Sequence, residues 1–167
     1  MYSRCKDPRL IGFTYSDWGG SVDDKKSTSG YAFSLGTSVV TWASKKQQAI
    51  ALSSTEAECR GVVKGACKAV WLRRMLANVQ IKQRESTPLL CDNQGVIKLA
   101  KNPVFHERTK HLDLHCHFII QLVDDGSIEL QYCPTKDQTA DIFTKSLGLD
   151  KHVKFRDKLG IVSKLTI

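Results

Sequence analysis

The sequence predicts an α/β fold in which helices flank a mixed five-stranded sheet. A β-hairpin pattern lies in the first third of the chain, and short apolar runs that alternate with amphipathic helical patterns follow it. Hairpin strands pair antiparallel, whereas strand–helix–strand units join parallel strands, so a sheet that contains both is mixed. The chain has 167 residues, which suits one compact domain.

The antiparallel half of the sheet is predicted to come from three strands at residues 10–16, 30–35 and 39–43. A turn at Gly36-Thr37-Ser38 joins the second strand to the third. The apolar residues 49–52 are expected to continue the third strand after the polar residues 44–48.

A long helix is predicted next, because Ser53 and Glu56 have the spacing of a capping box. The pattern continues to about residue 78. At ~100° per residue, Glu58 shares one stripe with small and apolar side chains, so it lies at the head of the face that packs on the sheet. A basic stripe lies on another side: Arg60, Lys64 and Lys68. Glu56 points elsewhere and has the capping role available.

The fourth strand is predicted at 88–91, where an apolar run ends at Asp92 and an amphipathic pattern begins at Val96. Ligands dock on open α/β sheets at such junctions. An isolated Asp there more often caps the helix, but three further acids in comparable settings favour a functional site.

The rest of the chain is predicted to form a helix at 107–123, a strand at 128–132 and a helix near Ala140 that carries Asp141 at its start. No linker or internal repeat is visible, so residues 1–167 are predicted to form a single domain. Its core extends over about 9–147, and a basic C-terminal helix or tail covers about 148–167.

The four acids Asp17, Glu58, Asp92 and Asp141 lie at element ends or on an inward face, and assembly of the sheet can bring them together. Clustered carboxylates repel each other and are costly to bury, so they normally hold divalent cations. Oxygen ligands without a convergent His or thiolate favour Mg²⁺ or Mn²⁺. Two such ions ~4 Å apart can activate a water and stabilise the leaving oxygen in phosphodiester hydrolysis.

Zinc is the competing metal, because histidines and a cysteine cluster at His106, His111, His115, Cys116 and His117. Only His111 and His115 have the spacing of a helical ligand pair. A solvated or partly packed helix face is the better interpretation.

The composition is compatible with a nucleic-acid partner and argues against secretion. Twenty-five Lys and Arg against seventeen Asp and Glu give a net charge of +8, which suits a polyanion; a merely basic surface would give the same number. Six cysteines without a CxxC pair favour reduced thiols and an intracellular protein. No apolar run is long enough to cross a membrane, and the first residues lack a signal-peptide core.

Six stretches, spread in order over nearly the whole chain, match one known family. They are Lys26–Tyr31, Trp42–Gln47, Leu52–Glu58, Cys91–Gln94, Lys110–Asp113 and Ala140–Lys145. The sequence thus resembles the ribonuclease H domain of copia-type (Pseudoviridae) retrotransposon Pol polyproteins. The resemblance implies the ribonuclease H-like fold and two-metal-ion hydrolysis, with Mg²⁺ or Mn²⁺, of the RNA strand of RNA–DNA hybrids. It also implies a reverse transcriptase domain upstream in the parent polyprotein.

The resemblance assigns catalytic, metal-binding roles to Glu58, Asp92 and Asp141, and Asp17 is a further candidate ligand. Gln94 and its neighbour Asn93 are the expected substrate contacts. Lys45 and Lys46 are expected to contact phosphate, although such pairs are most often solvated.

The first catalytic position departs from the family. Relatives typically read Gly-Tyr-Ser-Asp-Ala-Asp-Trp-Ala-Gly over residues 12–20, and Tyr15 stands where their first Asp binds metal. Asp17 lies two residues on, ~6–7 Å away along an extended strand. A phenol is a poor Mg²⁺ ligand near neutral pH because its pKa is near 10. Two hypotheses follow: a metal-dependent nuclease, or a catalytically impaired, repurposed domain that still binds nucleic acid.

Overall fold

The fold is described in a computed structural model, which covers residues 8–101 and 113–161. The predicted end of the second helix at Asn102-Pro103, the first part of the helix predicted at 107–123, and His106 and His111 lie outside the described residues.

Five strands form one mixed sheet, and the predicted fold class is confirmed. They are β1 (Leu10–Asp17), β2 (Thr28–Leu35), β3 (Ser38–Lys46), β4 (Thr87–Cys91) and β5 (Ile128–Tyr132). Their order is β3-β2-β1-β4-β5. The first three strands pair antiparallel, and β4 is parallel to both β1 and β5. The carboxyl ends of β1 and β4 therefore point to the same edge of the sheet.

Four α-helices and one 3-10 helix are described around this sheet. They are α1 (Ser54–Asn78), α2 (Gln94–Lys101), α3 (Asp113–Asp124), α4 (Leu149–Lys158) and the 3-10 helix Thr139–Phe143. The 3-10 helix occupies the place of the helix predicted near Ala140. Over the part of the chain that the structure describes, no helix has the length and apolar character needed to cross a membrane.

Helix α1 begins as its sequence predicts, with one change in the cap. The Ser53 side chain accepts a hydrogen bond from the backbone N–H of Glu56 (3.1 Å). The Glu56 carboxylate reaches back to the N–H of Leu52 (2.7 Å) rather than to that of Ser53. The predicted inward stripe is buried throughout: Glu58, Val62, Gly65, Ala69, Leu72 and Leu76.

Two glycines let α1 lie unusually close to β1. A Cβ at Gly61 would stand 2.4 Å from the Ser16 hydroxyl, and one at Gly65 would stand 2.3 Å from the Thr14 methyl. Both distances are too short for any side chain larger than hydrogen. This close approach lets the Glu58 side chain, in the first turns of α1, reach the β1 backbone at Ser16.

The prediction that residues 49–52 continue the third strand is wrong. Strand β3 ends at Lys46, and the buried Gln47 side chain donates to the Ser29 hydroxyl (2.8 Å) and to the Ala57 carbonyl (2.9 Å). These bonds tie the chain to the start of α1. The apolar side chains of Ile50 and Leu52, which suggested a strand, are 53% and 77% exposed.

Candidate active site

Glu58 lies near the start of α1 and is buried against the end of β1. The backbone N–H of Ser16 donates to its Oε1 (2.6 Å), whereas Oε2 has no hydrogen-bond partner among the described residues. Burial raises the pKa of Glu58 to about 8, and the negative charges of Asp92 and Asp141 act in the same direction. Without a bound cation, this carboxyl is therefore largely protonated at neutral pH.

Asp92 follows β4 directly and belongs to the same site. Its Oδ2 accepts a hydrogen bond from the Thr135 hydroxyl (3.1 Å). Burial raises its pKa, the Thr135 hydroxyl lowers it, and the charge of Asp141 raises it. The alternative role as helix cap is wrong, because the side-chain oxygen of Asn93 accepts from the N–H groups of Gly95 (2.8 Å) and Val96 (3.2 Å) at the start of α2.

Asp141 is fully buried in the 3-10 helix, and two lysines surround its carboxylate. The Lys145 ammonium lies 2.9 Å from Oδ1, and the Lys151 ammonium, from α4, lies 2.5 Å from Oδ2. Burial of a carboxylate is tolerated only when such partners compensate its charge. Lys145 and Lys151 therefore already neutralise the carboxylate charge that would bind a divalent cation.

Tyr15 stands at the same edge of the sheet. In the parallel β1–β4 pair Phe13 lies opposite Leu90, and continuing that register by two residues places Tyr15 beside Asp92. Its hydroxyl accepts a hydrogen bond from Lys145 (3.1 Å), and the same ammonium lies 4.7 Å from the ring centroid. Burial raises the pKa of Tyr15, which keeps the phenol neutral.

Asp17 is held by the backbone at the start of β2. Its Oδ1 accepts a hydrogen bond from the N–H of Thr28 (2.5 Å). Its Oδ2 fills the space beside Gly20, where a Cβ would stand 1.9 Å away. Asp17 thus stabilises the turn after β1, and its role as a metal ligand stays a prediction.

Sequence comparison identifies the family. The chain is 36% identical over 157 residues to the retrovirus-related Pol polyprotein from transposon TNT 1-94 of Nicotiana tabacum, and the match covers 94% of this chain and 12% of that protein. It is 38% identical over 153 residues to the Pol polyprotein from transposon RE2 of Arabidopsis thaliana, covering 92% and 10%. The chain belongs to the family of copia-type retrotransposon Pol polyproteins. It spans about a tenth of the length of these relatives. No protein-family model matches it.

Solved structures identify the fold of this Pol segment. It superposes on the crystal structure of LC11-RNase H1 in complex with an RNA/DNA hybrid with a TM-score of 0.59 at 9% identity. The match covers 81% of this chain and 94% of that one. The Pol segment therefore has the ribonuclease H-like fold that its motifs predict.

The structure does not assemble a metal centre from the described acids of this Pol segment. Among the side chains that the structure describes, those of residues 8–101 and 117–161, no three His, Cys, Asp or Glu form a group that could hold a metal ion. Of the histidine-rich cluster only the His117 side chain is described, and it is exposed. The roles of Glu58, Asp92 and Asp141 as metal ligands stay predictions.

The four residues predicted to contact substrate have different environments. Gln94 and Lys45 are exposed. Lys46 forms an ion pair with Asp24 (2.8 Å). Asn93 uses its side-chain oxygen to cap α2, which leaves only its amide group for a ligand. Substrate contact by these four side chains stays a prediction.

Sequence reasoning missed Thr135, Lys145 and Lys151. Lys145 had a visible signal, because an acid and a lysine four residues apart are neighbours on a helical turn. Lys151 had none, since it reaches Asp141 only because α4 docks beside the 3-10 helix. Thr135 likewise depends on the loop after β5.

Proposed function

We propose that this ribonuclease H-like domain binds RNA–DNA hybrids and that Tyr15 impairs its cleavage of the RNA strand. One observation carries the proposal: the Lys145 ammonium lies between the Tyr15 hydroxyl (3.1 Å) and the buried Asp141 carboxylate (2.9 Å). A lysine and a neutral phenol thus fill the corner where the family has a metal-binding Asp. The hybrid bound by LC11-RNase H1 supports the choice of ligand, because the two domains share a fold.

The residues at this corner do not fit two divalent ions. Mg²⁺ is held by carboxylate, carbonyl and water oxygens, and a neutral phenol adds no charge to that set. Both oxygens of Asp141 face ammonium groups, which would repel an incoming cation. The two-ion site predicted from the sequence therefore needs both lysines to move and a carboxylate that Tyr15 does not supply.

The side chains present suit phosphate binding instead. Lys145 and Lys151 keep 40% and 35% of their side chains exposed while they neutralise Asp141. Charged donors of this kind contact the phosphates of a nucleic-acid strand and release its counterions. The carboxylate of Asp92, half-buried beside Tyr15, repels a phosphate and so limits how deeply it can enter the site. The site then holds the strand without activating a water against it.

The competing function is metal-dependent hydrolysis of the RNA strand, and one observation favours it. The buried Oε2 of Glu58 has no hydrogen-bond partner in the described parts of the chain, and either a proton or a cation would satisfy it. The two functions make opposite predictions for a single substitution, Tyr15→Asp.

The deciding experiment measures cleavage of an end-labelled RNA–DNA hybrid with Mg²⁺ or Mn²⁺. We expect the unmodified chain to bind the hybrid yet cleave at least about a hundredfold more slowly than Tyr15→Asp, a loss comparable to that caused by removing one group that stabilises charge in a transition state. Tyr15→Phe is the matched control and should stay as slow as the unmodified chain. Adding Asp92→Asn to Tyr15→Asp should abolish the gain. Rapid turnover by the unmodified chain, lost in Asp92→Asn, would establish the nuclease.

We further propose that an upstream reverse transcriptase supplies the hybrid, because copying RNA into DNA produces it. Such a domain would act inside the cell, where the hybrid is made.

A further inference from the structure

A second surface lies on the other side of α1, away from Tyr15. On the sheet, helix α1 packs mainly against β1, β2 and β4, and this leaves the inner face of the edge strand β3 uncovered. The result is an open groove of about 520 Å³ between α1 and β3, which we call the α1–β3 groove. The side chains that matter for its chemistry are Tyr31, Ala43, Lys45, Lys64, Lys68 and Trp71.

The groove is positively charged. Lys45 enters it from the end of β3, and Lys64 and Lys68 enter it from α1. None of the described residues that line it is acidic. Burial lowers the pKa of the Lys64 ammonium, and the positive charges of Lys45 and Arg60 lower it further. These cations repel one another, and a bound polyanion would relieve that repulsion.

The groove also presents aromatic surface next to the charges. Trp71 is 52% exposed, and the Lys68 ammonium lies 3.9 Å from its ring centroid. Tyr31 lies on the floor and is half-buried. Alternating cations and exposed aromatic rings are typical of surfaces that bind unpaired bases, since every base can stack on a ring while its phosphate contacts a lysine.

One end of the groove adjoins the candidate active site. Ser29 lines the groove, and its hydroxyl is bonded to that of Ser16, whose N–H holds Glu58. The part of α1 that lines the groove runs from Val63 to Trp71, over which the helix advances ~12 Å at 1.5 Å per residue. That length accommodates a few nucleotides of an unpaired strand.

We propose that the α1–β3 groove binds a short stretch of single-stranded nucleic acid, as a site separate from the one that holds the hybrid. The inference does not depend on the proposed function, because it requires neither cleavage nor hybrid binding. In a chain that does bind hybrid, the groove would hold an unpaired stretch of strand that leaves the duplex.

The test is the affinity of a fluorescein-labelled twelve-nucleotide single-stranded RNA of mixed sequence for the full chain, measured by anisotropy at low salt. We expect Lys64→Glu to weaken binding at least about tenfold. Trp71→Ala should weaken binding about fivefold or more, because it removes one stacking platform. Lys82→Glu is the matched control: it makes the same charge change at an exposed residue beyond the end of α1 and should leave the affinity within twofold. Melting curves check that each variant is folded.

Three results would overturn the inference. The first is equal weakening by Lys82→Glu and Lys64→Glu, which would mean that net charge alone drives binding. The second is competition by double-stranded RNA as effective as that by single strand, which would exclude stacking on Trp71. The third is no loss of affinity in Trp71→Ala. The affinity of the same variants for an RNA–DNA hybrid distinguishes this inference from the proposed function. Variants of the α1–β3 groove should still bind the hybrid near Tyr15 even where they no longer bind a single strand.

Discussion

Individual carboxylates of the candidate site avoid repulsion by different physical means. Glu58 is buried with one backbone hydrogen bond and takes up a proton. Asp141 is more deeply buried and is surrounded by Lys145 and Lys151. Asp92 keeps contact with solvent and one hydroxyl, that of Thr135. Burial of a charge is tolerated only with such compensation. The elements that surround each acid therefore decide whether a proton, an ion pair or solvent compensates its charge.

The protonation of Glu58 makes stability depend on pH. The pKa of Glu58 is about 8 in the folded chain, against an ordinary value of 4.5 in the unfolded chain. The folded state therefore holds a proton that the unfolded state has lost, and the free energy of unfolding falls as pH rises from about 4.5 to about 8. The penalty is complete above pH 8. Glu58→Gln carries no such proton, so its free energy of unfolding relative to that of the unmodified chain should rise by on the order of 4 kcal/mol between pH 5 and pH 9.

Urea unfolding in metal-free buffer with chelator measures this difference. Glu85→Gln is the control, since the Glu85 side chain is 74% exposed and should show no growth with pH. If the free energies of unfolding of Glu58→Gln and the unmodified chain differ by the same amount at both pH values, the raised pKa of Glu58 is contradicted.

Secondary elements, rather than single contacts, place Asp141. The 3-10 helix Thr139–Phe143 rests on Gly30 of β2, where a Cβ would stand 2.9 Å from the Phe143 Cβ and 3.0 Å from the Ala140 carbonyl oxygen. From the other side, α4 presents Lys151 and is anchored by the fully buried Phe155. The 3-10 helix is thus held between a strand and a helix, and Asp141 has little freedom to turn toward a metal.

Gly30→Ala should loosen this arrangement. The added methyl group meets backbone and Cβ atoms that cannot rotate away, so we expect a loss of about 1–3 kcal/mol in the free energy of unfolding. Gly148→Ala is a control for the steric effect, because a Cβ there meets nothing within 4 Å; as Gly148 is the N-cap of α4, it should cost less than about 1 kcal/mol. Urea denaturation compares the two variants. A loss in Gly148→Ala as large as that in Gly30→Ala would contradict the packing argument.

Positions that depend on local periodicity could be predicted from the sequence, whereas those that depend on tertiary contacts could not. The burial of Glu58 followed from the 3.6-residue period of α1, and the place of Asp92 followed from a strand that ends in an acid. The predicted extension of β3 failed because Gln47 binds the backbone of α1, a tertiary contact that apolar residues at 49–52 do not reveal. Pairing of Asp141 with Lys151 was equally hidden, since it depends on how α4 docks. Tyr15 was visible in the sequence, but only beside the family pattern.

The whole molecule carries a net charge of +8, and two groups of its described lysines lie at the surfaces proposed to bind nucleic acid. Lys145 and Lys151 lie at the candidate active site, and Lys45 and Lys64 lie in the α1–β3 groove. One end of the groove adjoins the candidate active site, because the Ser29 hydroxyl lines the groove and is bonded to that of Ser16, whose N–H holds Glu58. A nucleic acid with a paired part and an unpaired part can therefore contact both regions at once.

Salt dependence tests this whole-molecule electrostatic argument. A ligand that contacts four lysines through phosphates should lose about a hundredfold in affinity between 50 and 200 mM salt, because each contact releases condensed counterions. The measurement is the dissociation constant of an RNA–DNA hybrid with a single-stranded extension, by anisotropy across that range. Lys145→Met should lower the slope of log affinity against log salt by about one, and Lys82→Met should leave it unchanged. A total loss of only about fourfold would correspond to one phosphate contact, and the two basic regions would then not act on the same strand.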